Sequence, residues 1–478
     1  MTLSSPSSGT GDNFGHIEVR GIDFIPDRER HGKASELFTV WAASNVTYLY
    51  IVLGGALIGL GLNAGQAIGI VILGNLFWAL VGILSVSGPA SGTSGSVVMR
   101  AMFGIRGNRV VVAVTGWIIS VAYEAINLSL GALAGFALLE SIGIHPATVW
   151  KLAVVLVTAI VTFAISIYGH ATIVRLSGPF SIALTVSVAI LAAFVLPQVN
   201  LHFVPQGAPH GLALMAALFT GLTIISSGPL SWGTSSDYAR YLPPSTSWRA
   251  VASWTALGGF LPSVLLGILG VLAGTAIDMT DPQTSFASIL PGWFYPVFLL
   301  TIVVSSITNN VLTVYSSGLQ LQAVGIEARR AITVSFDGFV GLALTLYALF
   351  VSDFTDTLKN ILELSVSLLG PTFGIYAVDI LLRRNVYDGV ALNDESPLSP
   401  FWFSGGVNWA GILALAAGSG AALLCANTSV LVGPISNALG GADLSTLTGP
   451  LVAAGIYAAI APRPRAIMTI PATSESAQ

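Results

Sequence analysis

Apolar and polar positions alternate along this chain on a long scale, as extended apolar runs separated by short polar punctuation. An apolar run of about 20 residues crosses a bilayer as a helix. Such runs predict twelve spans, at 36–60, 66–87, 110–139, 147–168, 172–196, 211–235, 251–275, 292–316, 331–351, 358–381, 407–424 and 444–461. Spans four and five are nearly continuous, with Gly169-His170 as the divider, and spans eleven and twelve are rich in glycine. The stretch from Gly88 to Gly104 is too polar to span and reads as a loop followed by a short interfacial helix. Residues 1–35 form a polar tail, in which Met1 to Asn13 is Ser- and Gly-rich and predicted to be disordered. Residues 462–478 form a second tail.

Composition agrees with the pattern. The chain is 54% hydrophobic and only 8% charged, where a soluble domain carries about 25% charge. This is a polytopic all-α membrane protein. Its polar first ~35 residues contain no apolar core with a cleavage site, so no secretory signal is expected. The single cysteine, Cys425, excludes an intrachain disulfide and reads as a small packing residue. Twelve spans put both termini on one side, which charge tests independently. With that side cytoplasmic, all Lys and Arg fall inside except Lys151 and Lys359, out of 18. The positive-inside rule therefore predicts a cell-membrane protein with cytoplasmic termini. No GxxxxGK[ST] loop, His/Cys metal cluster or soluble domain is present, so ATP-driven transport, an enzyme and a nucleic-acid partner are not expected.

Polar groups inside hydrocarbon are costly, so each is a candidate. Span six runs into Ser226-Ser-Gly-Pro229 at mid-depth, where Pro229 predicts a break or kink. Broken backbone is tolerated in a membrane where it lines a wet cavity, and half-helices meeting there place dipole ends beside a substrate. Span six thus offers Ser227, Gly228 and Trp232 to a ligand, with Asp237 and Arg240 near its inner end as a gate. Asp337 in span nine is a possible partner for Arg240. Span one carries Ser44 and Asn45, whose amide serves either a neighbouring helix or a ligand edge. Its Gly54-Gly55 pair permits close helix packing. In span three, positions 117, 120, 124 and 127 share a helical face. Trp117 offers a stacking surface, Asn127 an amide, and Glu124 a carboxyl that must be protonated, paired or wet. The candidate roles of Glu124 are a protonation switch, a substrate bond and a structural bond. More than half of the residues from Ser305 to Ser317 in span eight are Ser, Thr or Asn. Asn309 and Asn310 point in adjacent directions, and the oxygens of Ser305, Ser306 and Thr308 suit a hard cation such as Na+. Pro371-Thr-Phe-Gly374 in span ten reads as a hinge.

Several of these residues stand in a familiar order. Trp41-x-x-x-Asn45, Gly178-Pro179, Ser236-Asp-Tyr-Ala-Arg-Tyr-Leu-Pro243, Asn309-Asn310 with Tyr315-Ser316, and Pro371-x-x-Gly-Ile-Tyr-x-x-Asp379 resemble the purine/cytosine permease family of nucleobase–cation symporters. The resemblance implies ten core helices in two inverted five-helix repeats, 36–196 and 211–381, with helices one and six broken and two peripheral helices over 407–461. It also implies a substrate site between spans one, three, six and eight, mapped onto Asn45, Trp117, Asn127, Ser227, Trp232, Asn309 and Asn310. Where nucleobase-specific members carry Pro-Asn in span eight, this chain has Leu312-Thr313. The implied activity is import of a nucleobase, cytosine or a purine, with Na+ or H+. Allantoin, hydantoin, uracil, a vitamin or an amino acid are the alternative cargoes. No cofactor beyond the coupling ion is implied, and the oligomeric state is left open.

Overall fold

A computed structural model describes residues 14–462 except 201, 206, 281, 353 and 429. The predicted tails 1–13 and 463–478 therefore lie outside the described residues. Nine helices among the described residues are long and apolar enough to cross a membrane. A tenth span is a bent pair, Glu36–Asn45 and Tyr48–Gly59, meeting at 55°. Two shorter apolar helices, Trp409–Cys425 and Ser445–Ile460, complete the expected set of about twelve. Each falls where an apolar run is found in the sequence.

The break in span one has a local cause. Thr47 is extended, with φ −123° and ψ 144°, and a helix ending at Asn45 leaves carbonyls without donors. Val46 N takes up Ala42 O at 2.9 Å, and Thr308 and Asn309 of span eight take up Ala43 O and Ser44 O at 3.0 and 2.8 Å. Span six breaks next to its proline, as expected. Its helix, Leu212–Leu230, carries Pro229 in its final turn and stops one residue later. Irregular backbone follows over 231–234, then a single 3-10 turn, Ser235–Tyr238. A proline removes only its own donor; the N–H groups of Ser231 and Trp232 still reach Ser227 O and Pro229 O, so the turn closes before the chain unwinds.

Small residues let spans one and seven touch backbone to backbone. A Cβ on Gly54 would stand 2.0 Å from Gly267 O, and one on Gly270 would stand 2.0 Å from Ile51 O. Neither neighbour is a side chain that can swing away. Gly270→Ala is therefore expected to destabilise the protein by about 1–3 kcal/mol, the usual range for overpacking, seen as a lower melting temperature in detergent. Gly178→Ala, which meets open space, should leave it unchanged.

Three expectations are corrected. Residues 88–104 are not an exposed loop and interfacial helix. They form short helices in which Ser91, Thr93, Ser94, Ser96 and Arg100 are all buried, Gly95 N meeting Asp237 just beyond span six and Arg100 meeting Leu392 O. A run too polar for lipid can instead be wrapped by protein, where its polar groups find partners. The segment before span one is likewise packed in part: Glu18, Ile25 and Arg30 are buried, and Arg30 donates to Pro89 O at 2.9 Å. Pro371 does not break span ten, whose helix runs from Phe354 to Arg383. Gly370 and Gly374 instead give Pro450 of span twelve a groove to enter.

Candidate functional site

The two broken spans meet at a central cavity. Span one contributes Thr47, Leu49 and Tyr50, and span six Gly228, Ser231, Trp232, Gly233 and Thr234. Span three adds Ser120 and Tyr123, span eight Asn309, Thr313, Ser316 and Gln320, and span ten Thr372 and Phe373. Ser96 and Met99 come from the buried segment between spans two and three. The cavity thus opens onto the N-terminal end of the helix Tyr48–Gly59, where backbone N–H groups and the positive end of the helix dipole are presented. Aromatic faces come from Trp232, Tyr123, Tyr50 and Phe373, and the polar groups are hydroxyls and amides. No charged side chain is among the lining residues.

Of the residues predicted to touch substrate, Gly228, Trp232 and Asn309 line this cavity. Asn45, Asn127, Asn310 and Ser227 stand behind its wall. Asn45 is fully buried and accepts from Tyr50 OH at 2.8 Å, so it aims a cavity residue. The Asn127 amide donates to Asn309 Oδ1 at 2.8 Å, and Asn309 donates to Ser44 O, also at 2.8 Å. That relay ties span three to span eight and span eight to the break in span one. The Ser227 hydroxyl turns back to Ile224 O, while its carbonyl accepts from Tyr123 OH at 3.3 Å.

Trp117 and Glu124 do share a face, but that face meets span nine and not the cavity. Trp117 Nε1 donates to Asp337 Oδ1 at 2.7 Å, and its ring stacks on Phe336 at 6.3 Å. Glu124 is fully buried against Gly341, beside the Asp337 carboxyl. Span three is surrounded by other helices, and a 3.6-residue period names a shared face without naming the neighbour it meets.

The oxygens proposed for a cation divide. Thr308 Oγ1 donates to Ala43 O at 3.0 Å, at the end of the first half of span one, and also lies near Ser305 O. Ser44 and Ser305 satisfy their hydroxyls within their own helices. Ser306 packs toward Gly131 of span three instead of the break. Of the four, Thr308 is the one whose hydroxyl meets a carbonyl at the break in span one.

The match to known proteins follows from this architecture. Residues 24–449 match the family model described as permease for cytosine/purines, uracil, thiamine, allantoin. The chain belongs to this family. YxlA of Bacillus subtilis, a candidate purine-cytosine permease by name, is 26% identical over 92% of this chain and 95% of its own length. The purine-cytosine permease fcyB of Emericella nidulans is 24% identical over 94% of this chain and 89% of its own. The fold is that of Mhp1, a nucleobase-cation-symport-1 family transporter solved closed around bromovinylhydantoin. That likeness has a TM-score of 0.71 at 18% identity, covering 92% of this chain and 94% of Mhp1. The protein is accordingly a multi-pass secondary transporter and not an enzyme.

Next to the cavity lies a buried polar layer. Asp237 accepts from Gly95 N at 2.7 Å and from Ser316 Oγ at 2.8 Å. Arg240 does not pair with Asp337. Its guanidinium meets Glu18 Oε1 at 2.8 Å and Gly21 O at 2.6 Å, and Tyr241 OH donates to the same Glu18 oxygen. Arg330 lies 3.8 Å from the other Glu18 oxygen and over the ring of Tyr315. Glu18 is therefore the anion that spacing could not find, because it lies more than 200 residues before its partner. Gly169 makes its approach possible: the residue has φ +89°, and a Cβ there would stand 2.2 Å from Glu18 Oε2. Gln320 was also missed. It continues the face of Asn309, Thr313 and Ser316 at helical spacing, three residues beyond the polar stretch ending at Ser317.

Proposed function

We propose that this permease imports a nucleobase, cytosine or a purine, by cation symport across the cell membrane. The observation that carries the reading is the lining of the cavity. Planar neutral rings want aromatic faces and edge-pairing hydroxyls and amides, and do not want a fixed charge. Trp232 and Phe373 supply faces, and Asn309, Thr313 and Gln320 supply edges. An uncharged lining favours a neutral ring over a zwitterionic amino acid. Allantoin, hydantoin, uracil and ring vitamins share the needed chemistry and remain the competing cargoes.

Transport follows alternating access, with the groups 36–196 and 211–381 rocking about the cavity. The distribution of Lys and Arg supports cytoplasmic termini. On that orientation, the Glu18–Arg240 layer is the inner gate. A wide cleft of about 1040 Å3, between the outer halves of spans one, three and six and the segment around Asp278, faces the outside.

The test is thermal stabilisation of purified protein by cytosine, adenine, hypoxanthine, uracil, allantoin and several amino acids, each with and without Na+. A ligand that binds only the folded state raises the melting temperature by mass action; at 100 times its Kd it contributes about 2.7 kcal/mol. A shift with cytosine or a purine is expected. Silence from all nucleobases together with a shift from an amino acid would overturn the substrate class.

A further inference from the structure

The central cavity does not use the most costly groups in the membrane, Glu124 and Asp337. Both side chains are fully buried, at 0% exposure. Both Glu124 carboxyl oxygens and Asp337 Oδ2 find no other hydrogen-bond partner among the described residues. Asp337 Oδ1 is treated oppositely: it receives Trp117 Nε1 at 2.7 Å and Ser317 Oγ at 2.6 Å. One oxygen of the pair is thus saturated with donors, and three oxygens have none.

Among the described residues no cation offsets these groups. Span four packs here with Thr158, Thr162 and Ser166, which return their hydroxyls to their own helix, Ser166 also reaching Val311 O. Span eight presents Ser317 and also carries Tyr315, which is engaged by Arg240 and Glu18. On span nine Arg330 is seven residues from Asp337, about 10 Å along a helix, and is held by Ser166 O, Ile167 O and Glu18. On span three Arg109 is bound to Glu395, and Glu140 stands at the opposite end. Span ten brings Asp379, closed into Arg383, Tyr387 and Tyr457. Two adjacent buried carboxyls without a cation cannot both carry charge, so the pair must hold a proton or a metal ion. The indole N–H already aimed at Oδ1 favours the proton, because a donor at 2.7 Å repels a cation sharing that oxygen.

We propose that Glu124 and Asp337 form the proton-binding site that couples transport to the proton gradient. This rests on the cation-driven reading above and selects H+ as its ion. A proton arriving on a Glu124 oxygen gives a neutral acid whose O–H donates to Asp337 Oδ2; its departure leaves two like charges that push span three from span nine. The pair is linked to the cavity through neighbouring residues. Ser317 holds Asp337, while Ser316 beside it lines the cavity and donates to Asp237 at the inner gate. Gly116 and Ser120 flank Trp117 on the cavity side.

The experiment uses proteoliposomes and radiolabelled cytosine, or the panel compound with the largest melting shift. Wild-type protein should accumulate substrate under an inward proton gradient without Na+, and substrate addition should acidify a pH dye trapped inside. Glu124→Gln should keep substrate counterflow, which needs no net proton movement, while accumulation and acidification fall at least tenfold. Glu124→Asp, which retains a titratable carboxyl, should keep both. Wild-type accumulation that requires Na+ and ignores the proton gradient would overturn the assignment, as would proton-driven accumulation by Glu124→Gln. Loss of counterflow in both variants would also overturn it, by making the pair structural. If the wild-type protein binds and moves none of the panel, the transport reading fails first, and the two failures are distinct.

Discussion

Replacing Glu18 with alanine should cost this permease more stability than any single change in its lipid-facing surface. The carboxylate is buried with Arg240, the two side chains at 1% and 0% exposure, and Arg330 stands on its other oxygen. Removing one partner of a buried pair leaves an uncompensated charge and costs about 3–5 kcal/mol. Here the truncation strands two guanidiniums, one left with Gly21 O and Tyr315 OH. The same contact joins the pre-span segment to spans five, six and eight, because the Glu18 carboxylate also accepts from His170 N at 3.0 Å. Two readouts should move together in Glu18→Ala: the melting temperature falls, and a cysteine at Ser236, in a Cys425→Ser background, labels faster with an impermeant thiol reagent from the N-terminal side. Glu18→Ala combined with Arg240→Met should recover part of the lost stability, since it removes one stranded charge. Unchanged melting and labelling would show that this layer is not the closure it resembles.

The span map was legible because lipid leaves the sequence little choice: an exposed backbone must hydrogen-bond to itself, so long apolar runs have one solution. The break in span six was legible for a related reason, since Ser226 to Pro229 are groups that lipid would not tolerate, whereas the break in span one was expected only from the family resemblance. What was not legible is which protein surface each polar residue meets. Glu124 and Trp117 share a face by spacing, yet only the packing of span nine decides that the face belongs to Asp337 and not to the cavity. Asn45, Asn127 and Asn310 were found by cost alone. Cost does not distinguish an amide that touches a ligand from one that positions Tyr50 or Asn309. Residues 88–104 misled for the same reason. Their polarity excludes lipid contact, but burial inside protein satisfies the constraint as well as solvent does. Glu18 and Arg240 are joined by tertiary structure alone, and no local pattern records that.

Trp232→Ala should weaken substrate binding by about 10- to 100-fold, the range expected from losing a base–aromatic stack worth about 1–3 kcal/mol. The indole is 6% exposed, and what remains open faces the cavity. Trp41 stands edge-on behind it at 5.1 Å and 84°, itself backed by Trp78 at 5.4 Å, so the ring is held before a ligand arrives. A fixed face loses little freedom on binding, which is where preorganisation raises affinity. Trp232→Phe keeps a flat ring and should lose less than tenfold. Trp78→Phe alters the packing behind Trp41, against Gly259 and beside the Tyr50 hydroxyl, and should lower the melting temperature with a smaller loss of affinity than Trp232→Ala. Titrating the melting shift against the best panel compound measures all three variants on one scale. If Trp232→Ala and Trp232→Phe bind alike, the ring at Trp232 is a wall, and the stacking surface must be sought at Phe373 or Tyr123. With Tyr50 of span one, those are the other aromatic faces on the same cavity, and each is on a different span, so the outcome would also move the substrate plane relative to the break in span six.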